Sequence, residues 1–308
     1  MKQSIVIIGA GNMGQGLAIQ FARHNHSVLL IDHRESNLDE AMMSIHDNLR
    51  RLAEAGALEN NVRGVSEHID TSTSQASIPS DAALILESIP EDIKAKHDVF
   101  SQLDEMLSKD TILASNTSSI PITQIAKAAV RAPERVIGCH WWYPPYLLPP
   151  VEVTAGKQTQ PEVIKRVCDL LEGVNRSPIK VKQDLPGFVW NRVQNAVIRE
   201  CLYLAKNDVA SVEDINRAIR DGYARRTAVV GPFETMDIAG LEQFATVAEH
   251  LFPELNNADA PSLFDEYLSA GRTGIDAQKG FLEYSKTADE VKDARDRGLL
   301  ALNEVLDH

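Results

Sequence analysis

The opening of the chain constrains its fold more than any later stretch. Ser4-Ile-Val-Ile-Ile8 is a fully apolar run of strand length, and it passes directly into Gly9-Ala-Gly11-Asn-Met-Gly14. Helix-period apolar positions follow at Leu17, Phe21 and Ala22. Ser27-Val-Leu-Leu-Ile31 is then a second buried-type strand, ending at Asp32. Strand, glycine turn, helix, strand is the βαβ unit of a parallel sheet. A glycine triple alone is a weak signal, but this one lies between a strand and a helix and has an acid after the next strand. The first two glycines allow a tight turn and close ligand approach to the backbone. The third lets the helix pack on the sheet, and the open amides of the helix N-terminus attract pyrophosphate. Asp32 would accept hydrogen bonds from an adenosine ribose and repel a 2′-phosphate. The pattern therefore predicts NAD rather than NADP, bound by Gly9, Gly11, Asn12, Met13, Gly14 and Asp32.

The rest of the first half extends this sheet. Ala82-Ala-Leu-Ile-Leu86 and Thr111-Ile-Leu-Ala114 read as further buried strands, separated by helix signals from Ile93 through Leu107. Both run into polar clusters, Glu87-Ser-Ile-Pro-Glu91 and Ser115-Asn-Thr-Ser-Ser119, at the strand ends where open α/β sheets gather ligands. Leu38, Met42, Ile45, Leu49 and Leu52 predict a helix running to about Gly56. It would open on a capping box at Ser36 and Asp39 and project from the domain. Near Asp184-Leu-Pro186-Gly187 the character changes, and helix-period segments dominate over about 189–206, 212–221, 237–252, 262–269 and 287–306. Pro186 suits a helix start, and Ser211-Val-Glu-Asp214 suits a helix cap. The expectation is a Rossmann-type doubly wound α/β domain over 1–185, followed by an all-α domain over 186–308 with several apolar faces suited to a homodimer.

With 308 residues, 44% of them hydrophobic, the chain can supply sizeable cores. Lys and Arg number 31 against 44 for Asp and Glu, a formal charge of −13, so no basic excess exists to neutralise phosphates. That balance disfavours nucleic acid or an anionic membrane as partner and leaves a small molecule. Cys139, Cys168 and Cys201 are scattered with no Cys-x-x-Cys pair, which indicates neither a disulfide scaffold nor a metal site. The chain opens without a secretory layout and contains no apolar stretch of membrane-spanning length, so a cytoplasmic location is expected.

The sharpest chemical signal is His140 with Glu152. His140 ends the apolar run Arg135-Val-Ile-Gly-Cys-His140, Glu152 sits inside Val151-Glu152-Val153, and the proline-rich stretch between them can fold one run back beside the other. A carboxylate in an apolar strand is costly to bury unless a positive or proton-donating group meets it. Two readings remain open on these residues. The pair is either a general base, with the carboxylate fixing the imidazole tautomer, or a capped loop whose histidine merely satisfies a core glutamate.

Taken in order and spacing, the glycine turn, Glu87–Glu91, Ser115–Ser119, His140, Glu152 and Pro186-Gly-Phe-Val-Trp-Asn-Arg192 closely resemble the 3-hydroxyacyl-CoA dehydrogenase family, from the first strand to at least Gly280-Phe281. The resemblance implies NAD-dependent oxidation of a secondary alcohol at a β carbon by a two-domain homodimer. Carried over by position, His140 is the catalytic base and Glu152 its orienting partner. Ser118 lies against the substrate hydroxyl and nicotinamide, Asn191 lies near the substrate, and Glu91 and Lys96 contact the cofactor. Ser118 would otherwise cap a helix, Asn191 be an exposed helix residue, and Glu91 and Lys96 form a solvated helix start.

The chain also departs from the family pattern. The usual His-Phe-Phe-Asn-Pro becomes His140-Trp-Trp-Tyr-Pro144, so Tyr143 replaces an asparagine on the nicotinamide side. Asn48 and Ala55 stand where serine and lysine contact CoA in short-chain acyl-CoA enzymes, and the lysine near the C-terminal Gly-Phe is displaced to Lys279. Trp141, Trp142, Tyr143 and Tyr146 suggest a compact aromatic-lined substrate pocket, suited to a ring or a quaternary ammonium, or else core packing. The expected substrate is therefore a 3-hydroxyacyl-CoA or a related 3-hydroxy compound. The alternatives are a small non-CoA molecule of the carnitine, gulonate or pyridine-aldehyde kind, and a crystallin-like protein without turnover. The hydroxyisobutyrate type of dehydrogenase is set aside, because its lysine base has no counterpart before Lys206.

Overall fold

A computed structural model describes residues 2–58, 61–258 and 261–306. Its sheet is built on β1 (Ser4–Ile8) and β2 (Ser27–Ile31), joined through α1 (Asn12–Ala22). The strand after α2 (Glu35–Glu54) and α3 (Val62–Ser66) is β3 (Ile69–Ser72). Then come β4 (Leu84–Glu87), α4 (Ile93–Met106), β5 (Ile112–Ser115) and α5 (Ile122–Ile125). A β-hairpin follows, β6 (Val136–Trp141) with β7 (Pro150–Ala155), and α6 (Pro161–Glu172) leads to β8 (Ser177–Val181). The strand order is β3-β2-β1-β4-β5-β6-β7-β8. Every neighbouring pair is parallel except β6 with β7. The order reverses between β1 and β4, the switch point outside which doubly wound sheets bind ligands.

Two strands were not foreseen. β3 reads Ile-Asp-Thr-Ser and β8 reads Ser-Pro-Ile-Lys-Val, and both are sheet edges, where polar residues are favoured and no continuous apolar run is needed. The central strands bury Val6, Ile8, Ile85, Leu113 and Val136 in one cluster with Phe100 and Leu103 of α4.

Several local expectations are corrected. α2 has Arg34 at its N-cap with no side-chain cap, and Ser36 lies inside the helix. The Asp32 carboxylate accepts from the Arg34 amide and from the Asn37 side chain, which starts the helix earlier than the capping-box pattern suggested. Nor does α2 project from the domain. Its stripe of Leu38, Ala41, Ile45, Leu49 and Leu52 is buried, and the helix packs on α1 and α3. Pro186 does not open a helix either, since the Leu185–Phe188 turn precedes the first helical residue, Trp190.

The chain divides into two compact units, Met1–Asn191 and Arg192–His308. α7 (Trp190–Lys206) starts in the first and continues into the second, which also contains α8 (Val212–Arg217), a π-helical segment Ala218–Ala224, α9 (Arg225–Thr227), α10 (Pro232–Ala239), α11 (Leu241–Leu251), α12 (Ser262–Ser269) and α13 (Ala288–Leu306). Ser211 caps α8 by accepting from the Asp214 amide. The segment 212–221 does not stay α-helical, because the helix widens after Arg217. Gly240, at φ 98°, splits 237–252 into α10 and α11.

The nucleotide-turn glycines divide by task. Gly9 has φ 110°, and a Cβ there would stand 2.5 Å from the Ser88 carbonyl oxygen. A Cβ on Gly14 would collide with the Gly9 carbonyl oxygen, whereas one on Gly11 would meet nothing within 4 Å. Gly14→Ala is thus expected to cost about 2–3 kcal/mol or more of stability, and Gly11→Ala to leave the melting temperature nearly unchanged. Thermal unfolding of the two variants checks the contrast, and equal losses would refute it.

Candidate active site

Antiparallel pairing of β6 with β7 sets His140 directly opposite Glu152, so both side chains leave the sheet on one face. The imidazole Nδ1 lies 2.7 Å from Glu152 Oε2. The other oxygen, Oε1, accepts the main-chain N–H groups of Val189 at 2.8 Å and Trp190 at 2.9 Å. Burial opposes ionisation of this fully buried carboxyl. The His140 hydrogen bond and the two amides outweigh it and hold Glu152 below the usual carboxylate range. An ionised Glu152 only accepts, so Nδ1 carries the proton and Nε2 presents a lone pair. Among the described residues Nε2 has no hydrogen-bond partner.

The Val189 and Trp190 amides reach Glu152 because the chain turns sharply before α7. Phe188 N donates to Leu185 O at 3.1 Å, and Gly187 and Phe188 take φ values of 78° and 48°. For a phenylalanine that conformation costs about 1–2 kcal/mol. It is held because the ring is buried in the core, with its centroid 5.8 Å from that of His140. Strain of this kind is retained where surrounding structure over-determines it, commonly at functional sites. Asn191 then donates its side-chain amide to the Ser118 carbonyl oxygen at 2.9 Å, bringing two of the sequence-flagged residues together. Asn116 joins them. Its Oδ1 accepts from the Trp141 amide at 2.8 Å and ties the end of β6 to the loop after β5. Asn116 lay inside the flagged polar cluster without being singled out.

Glu91 organises that loop. Its Oε1 accepts from Thr117 Oγ1 at 2.6 Å, the Ser118 amide at 3.0 Å, and the Ser119 amide and hydroxyl at 2.8 and 2.9 Å. Partial burial works against the charge. The hydrogen bonds from Thr117 and Ser119 and the Lys96 ammonium, 3.3 Å from Oε2, nonetheless bring the carboxyl down to about 2. Lys96 is only 1% exposed, and its ammonium sits between Glu87 at 2.7 Å and Glu91. This excludes the solvated helix start. An ammonium enclosed by two carboxylates supports the loop that carries Glu91.

The nucleotide cradle is formed by the first turn of α1. Gly11 is the N-cap without a side-chain cap, so the first amides, from Asn12 and Met13 onward, have no intrahelical acceptor. The space at Gly11 is open. Asp32 stands at the end of β2 with Oδ2 on the Ala10 amide at 3.0 Å and Oδ1 on Asn37 Nδ2 at 2.8 Å. Burial alone would raise its carboxyl. The Ala10 and Arg34 amides, Asn37 and His33 lower it, so it stays ionised and oriented. Open amides at a helix N-terminus beside a fixed acceptor fit the pyrophosphate and ribose of a dinucleotide.

The aromatic wall is smaller than expected. Trp141 is buried and packs edge-on against Phe21 of α1, with centroids 5.6 Å apart. Strand alternation turns it to the sheet face opposite His140. Tyr146 is likewise buried, beside Gly16 of α1. These two belong to the core and not to a substrate wall. Trp142 shares the His140 side and stacks on Trp190 at 4.1 Å and 22°, and Tyr143 is 45% exposed. Trp190 was quoted in the resemblance motif but not as a site residue, and nothing in its spacing marked it as Trp142's partner. Among the described residues no group of His, Cys, Asp and Glu could hold a metal ion, and no helix is long and apolar enough to cross a membrane.

Residues 4–185 match the model of the 3-hydroxyacyl-CoA dehydrogenase NAD binding domain, and residues 187–284 that of the family's C-terminal domain. The chain belongs to the 3-hydroxyacyl-CoA dehydrogenase family. Its fold is the family's sheet domain followed by a helical domain, its cofactor is NAD, and it is an NAD-dependent oxidoreductase acting on hydroxyl groups. One relative is the 5-formyl-3-hydroxy-2-methylpyridine 4-carboxylate 5-dehydrogenase of Mesorhizobium japonicum, 34% identical over 100% of this chain and 99% of its own length. A 3-hydroxybutyryl-CoA dehydrogenase of Clostridioides difficile is 32% identical over 92% of this chain and 99% of its own. A crystal structure of a 5-formyl-3-hydroxy-2-methylpyridine 4-carboxylic acid 5-dehydrogenase, described as an NAD+ dependent dismutase, superposes with a TM-score of 0.91 at 34% identity. It covers 100% of this chain and 99% of that one.

The Glu91 loop makes a pH prediction. Its folded carboxyl lies at about 2 against an ordinary 4.5, so its stabilisation is present above 4.5 and is lost as the pH falls toward 2. Glu91→Gln, which cannot ionise, should melt below the parent at neutral pH, with the gap closing as the pH drops from 4.5. Melting curves across that range decide, and a pH-independent gap would count against the ionised-hub account.

Proposed function

We propose that this dehydrogenase oxidises a small planar substrate, a ring bearing a hydroxymethyl or aldehyde group beside an anionic substituent, with His140 as general base. The carrying observation is the His140–Glu152 pair, with Nδ1 held at 2.7 Å and Nε2 left as the acceptor. His140 Nε2 takes the proton of the substrate hydroxyl, and ionised Glu152 stabilises the imidazolium that results. For an aldehyde the same step acts on its hydrate, yielding the acid. The pyrophosphate is held by the α1 amides at Gly11, Asn12 and Met13, and the ribose by Asp32. Bound NAD supplies the hydride acceptor. Ser118, fixed through Asn191 and Glu91, offers its hydroxyl to the reacting oxygen, and Asn191 borders the same region.

The substrate class draws on three supports. The full-length relative and the superposing structure are named for a pyridine carrying formyl, hydroxyl and carboxylate groups. The Trp142–Trp190 stack supplies aromatic surface on the His140 side. Positions associated with CoA carry Asn48 and Ala55, while nearby Arg50 is paired with Asp47 at 2.6 Å. A second reading, a 3-hydroxyacyl-CoA substrate, is favoured by the C. difficile relative.

We also infer that two copies associate through the helical unit. Among its described residues only Ile215 and Leu263 are buried hydrophobics, while Val229, Phe233, Ile238 and Phe252 are more than 70% exposed. Apolar surface on that scale marks an interface. Light scattering is expected to give twice the 34.0 kDa chain mass, and a monomer at micromolar concentration would reject the inference.

NADH formation with NAD and a panel of pyridine aldehyde carboxylates, 3-hydroxybutyryl-CoA and carnitine tests the substrate. Turnover of the pyridine compound is expected, and preference for the CoA thioester would reverse the assignment. His140→Gln should lower turnover about a thousandfold while NADH binding, read by fluorescence, is retained. Substantial residual activity removes His140 from the chemistry.

A further inference from the structure

Residues 188–191 each touch a different part of the site. Phe188 lies against the His140 ring, the Val189 and Trp190 amides meet Glu152, the Trp190 ring meets Trp142, and Asn191 meets Ser118. We propose that the main-chain N–H groups of Val189 and Trp190 are positioning groups of the catalytic base, selecting the one protonation state of the His140–Glu152 pair that can accept a proton. The inference rests on His140 being that base.

The pair has two neutral-histidine arrangements. In one, Glu152 is ionised, Nδ1 carries the proton and Nε2 accepts. In the other, the proton sits on Glu152, Nδ1 accepts it, and Nε2–H is a donor that cannot take a substrate proton. A short contact between a buried carboxyl and an imidazole does not by itself choose between them, because desolvation favours the uncharged acid. Two N–H donors aimed at Oε1 do choose. With the acid proton on Oε2, Oε1 would be a carbonyl that still accepts both amides, but N–H donors bind an ionised carboxylate oxygen more strongly than the carbonyl of an acid, so two donors on Oε1 favour the charged form. They also lie at the start of α7, whose aligned peptide dipoles favour a negative charge at that end. Fixing Oε1 from one side leaves Oε2 facing Nδ1, which orients the ring.

Among the described residues no other charge beside the pair supplies this role. Cys139, beside His140 on β6, is neutral, its thiol pushed up by burial to about 12. On β8 the residue opposite Glu152 is Ile179, and Lys180 alternates to the other face. Asp184 is held by the Ile122 and Thr123 amides at 2.8 and 2.7 Å. Glu87, Glu91 and Lys96 bind one another beneath the loop after β5.

Trp190 is the first helical residue, the position at which proline is tolerated because its missing N–H has no intrahelical partner. Trp190→Pro therefore deletes one donor and the indole, and Trp190→Ala deletes the indole alone. Relative to W190A, W190P should move the acid limb of the kcat/KM profile to higher pH by roughly half a unit or more, since a less stabilised Glu152 favours the imidazolium. It should also lower kcat about tenfold, with the KM for NAD unchanged and NADH fluorescence titration confirming a folded protein. Identical profiles and kcat in the two variants overturn the proposal. If W190P does not fold, an ester in place of the amide at residue 190 removes the same donor with the side chain kept, and is judged by the same two readouts against the parent. Activity in His140→Gln would instead overturn the base assignment beneath the proposal, so the two failures are told apart.

Discussion

The site depends on one buried carboxylate keeping its charge. Glu152 lies on a strand with no access to water, where an unpaired carboxylate would give up its charge. It remains ionised because an imidazole meets one oxygen and two amides meet the other. The same contacts fix the orientation of His140, the entry of α7 and the turn in which Phe188 takes a left-handed backbone. A single electrostatic requirement thus ties the antiparallel hairpin of the sheet to the turn at Val189 and Trp190.

The sheet brings His140 to the same strand-end edge as the nucleotide turn. Parallel strands deliver the Gly9, Ser88 and Asn116 loops to one edge, and the antiparallel return of β7 brings a residue from the far end of the hairpin opposite His140. Glu91 and Lys96 serve that edge as structure. The carboxylate gathers the amides and hydroxyls of Thr117, Ser118 and Ser119, and the enclosed ammonium balances it together with Glu87. Lys96 is buried and Glu91 is a third exposed, and their mutual pairing is a supporting task that no sequence motif announces.

What was legible in the residues followed from short-range rules. Apolar runs of strand length, a glycine triple between strand and helix, and a carboxylate in an apolar stretch each have one or two physical explanations. The edge strands β3 and β8 escaped because partial solvation lets polar residues into a strand. The capping box at Ser36 misled because Asp32, fixed by its own contacts, set the helix start. Trp141 and Tyr146 were grouped with Trp142 by nearness in the chain, although strand alternation and packing on α1 sent them elsewhere.

The sequence by itself determined the nucleotide fold and its NAD cofactor, and singled out His140 and Glu152 as a pair, because each rests on residue types whose cost or conformational freedom is local. Only the tertiary structure decided which groups complete them. The Val189 and Trp190 amides carry no side-chain signature, and the stacking of Trp190 on Trp142 joins residues far apart in the chain. The enclosure of Lys96 depends on how the chain from Glu87 to Glu91 folds back over α4. Main-chain donors and long-range packing partners are properties of the folded path, and no residue type announces them.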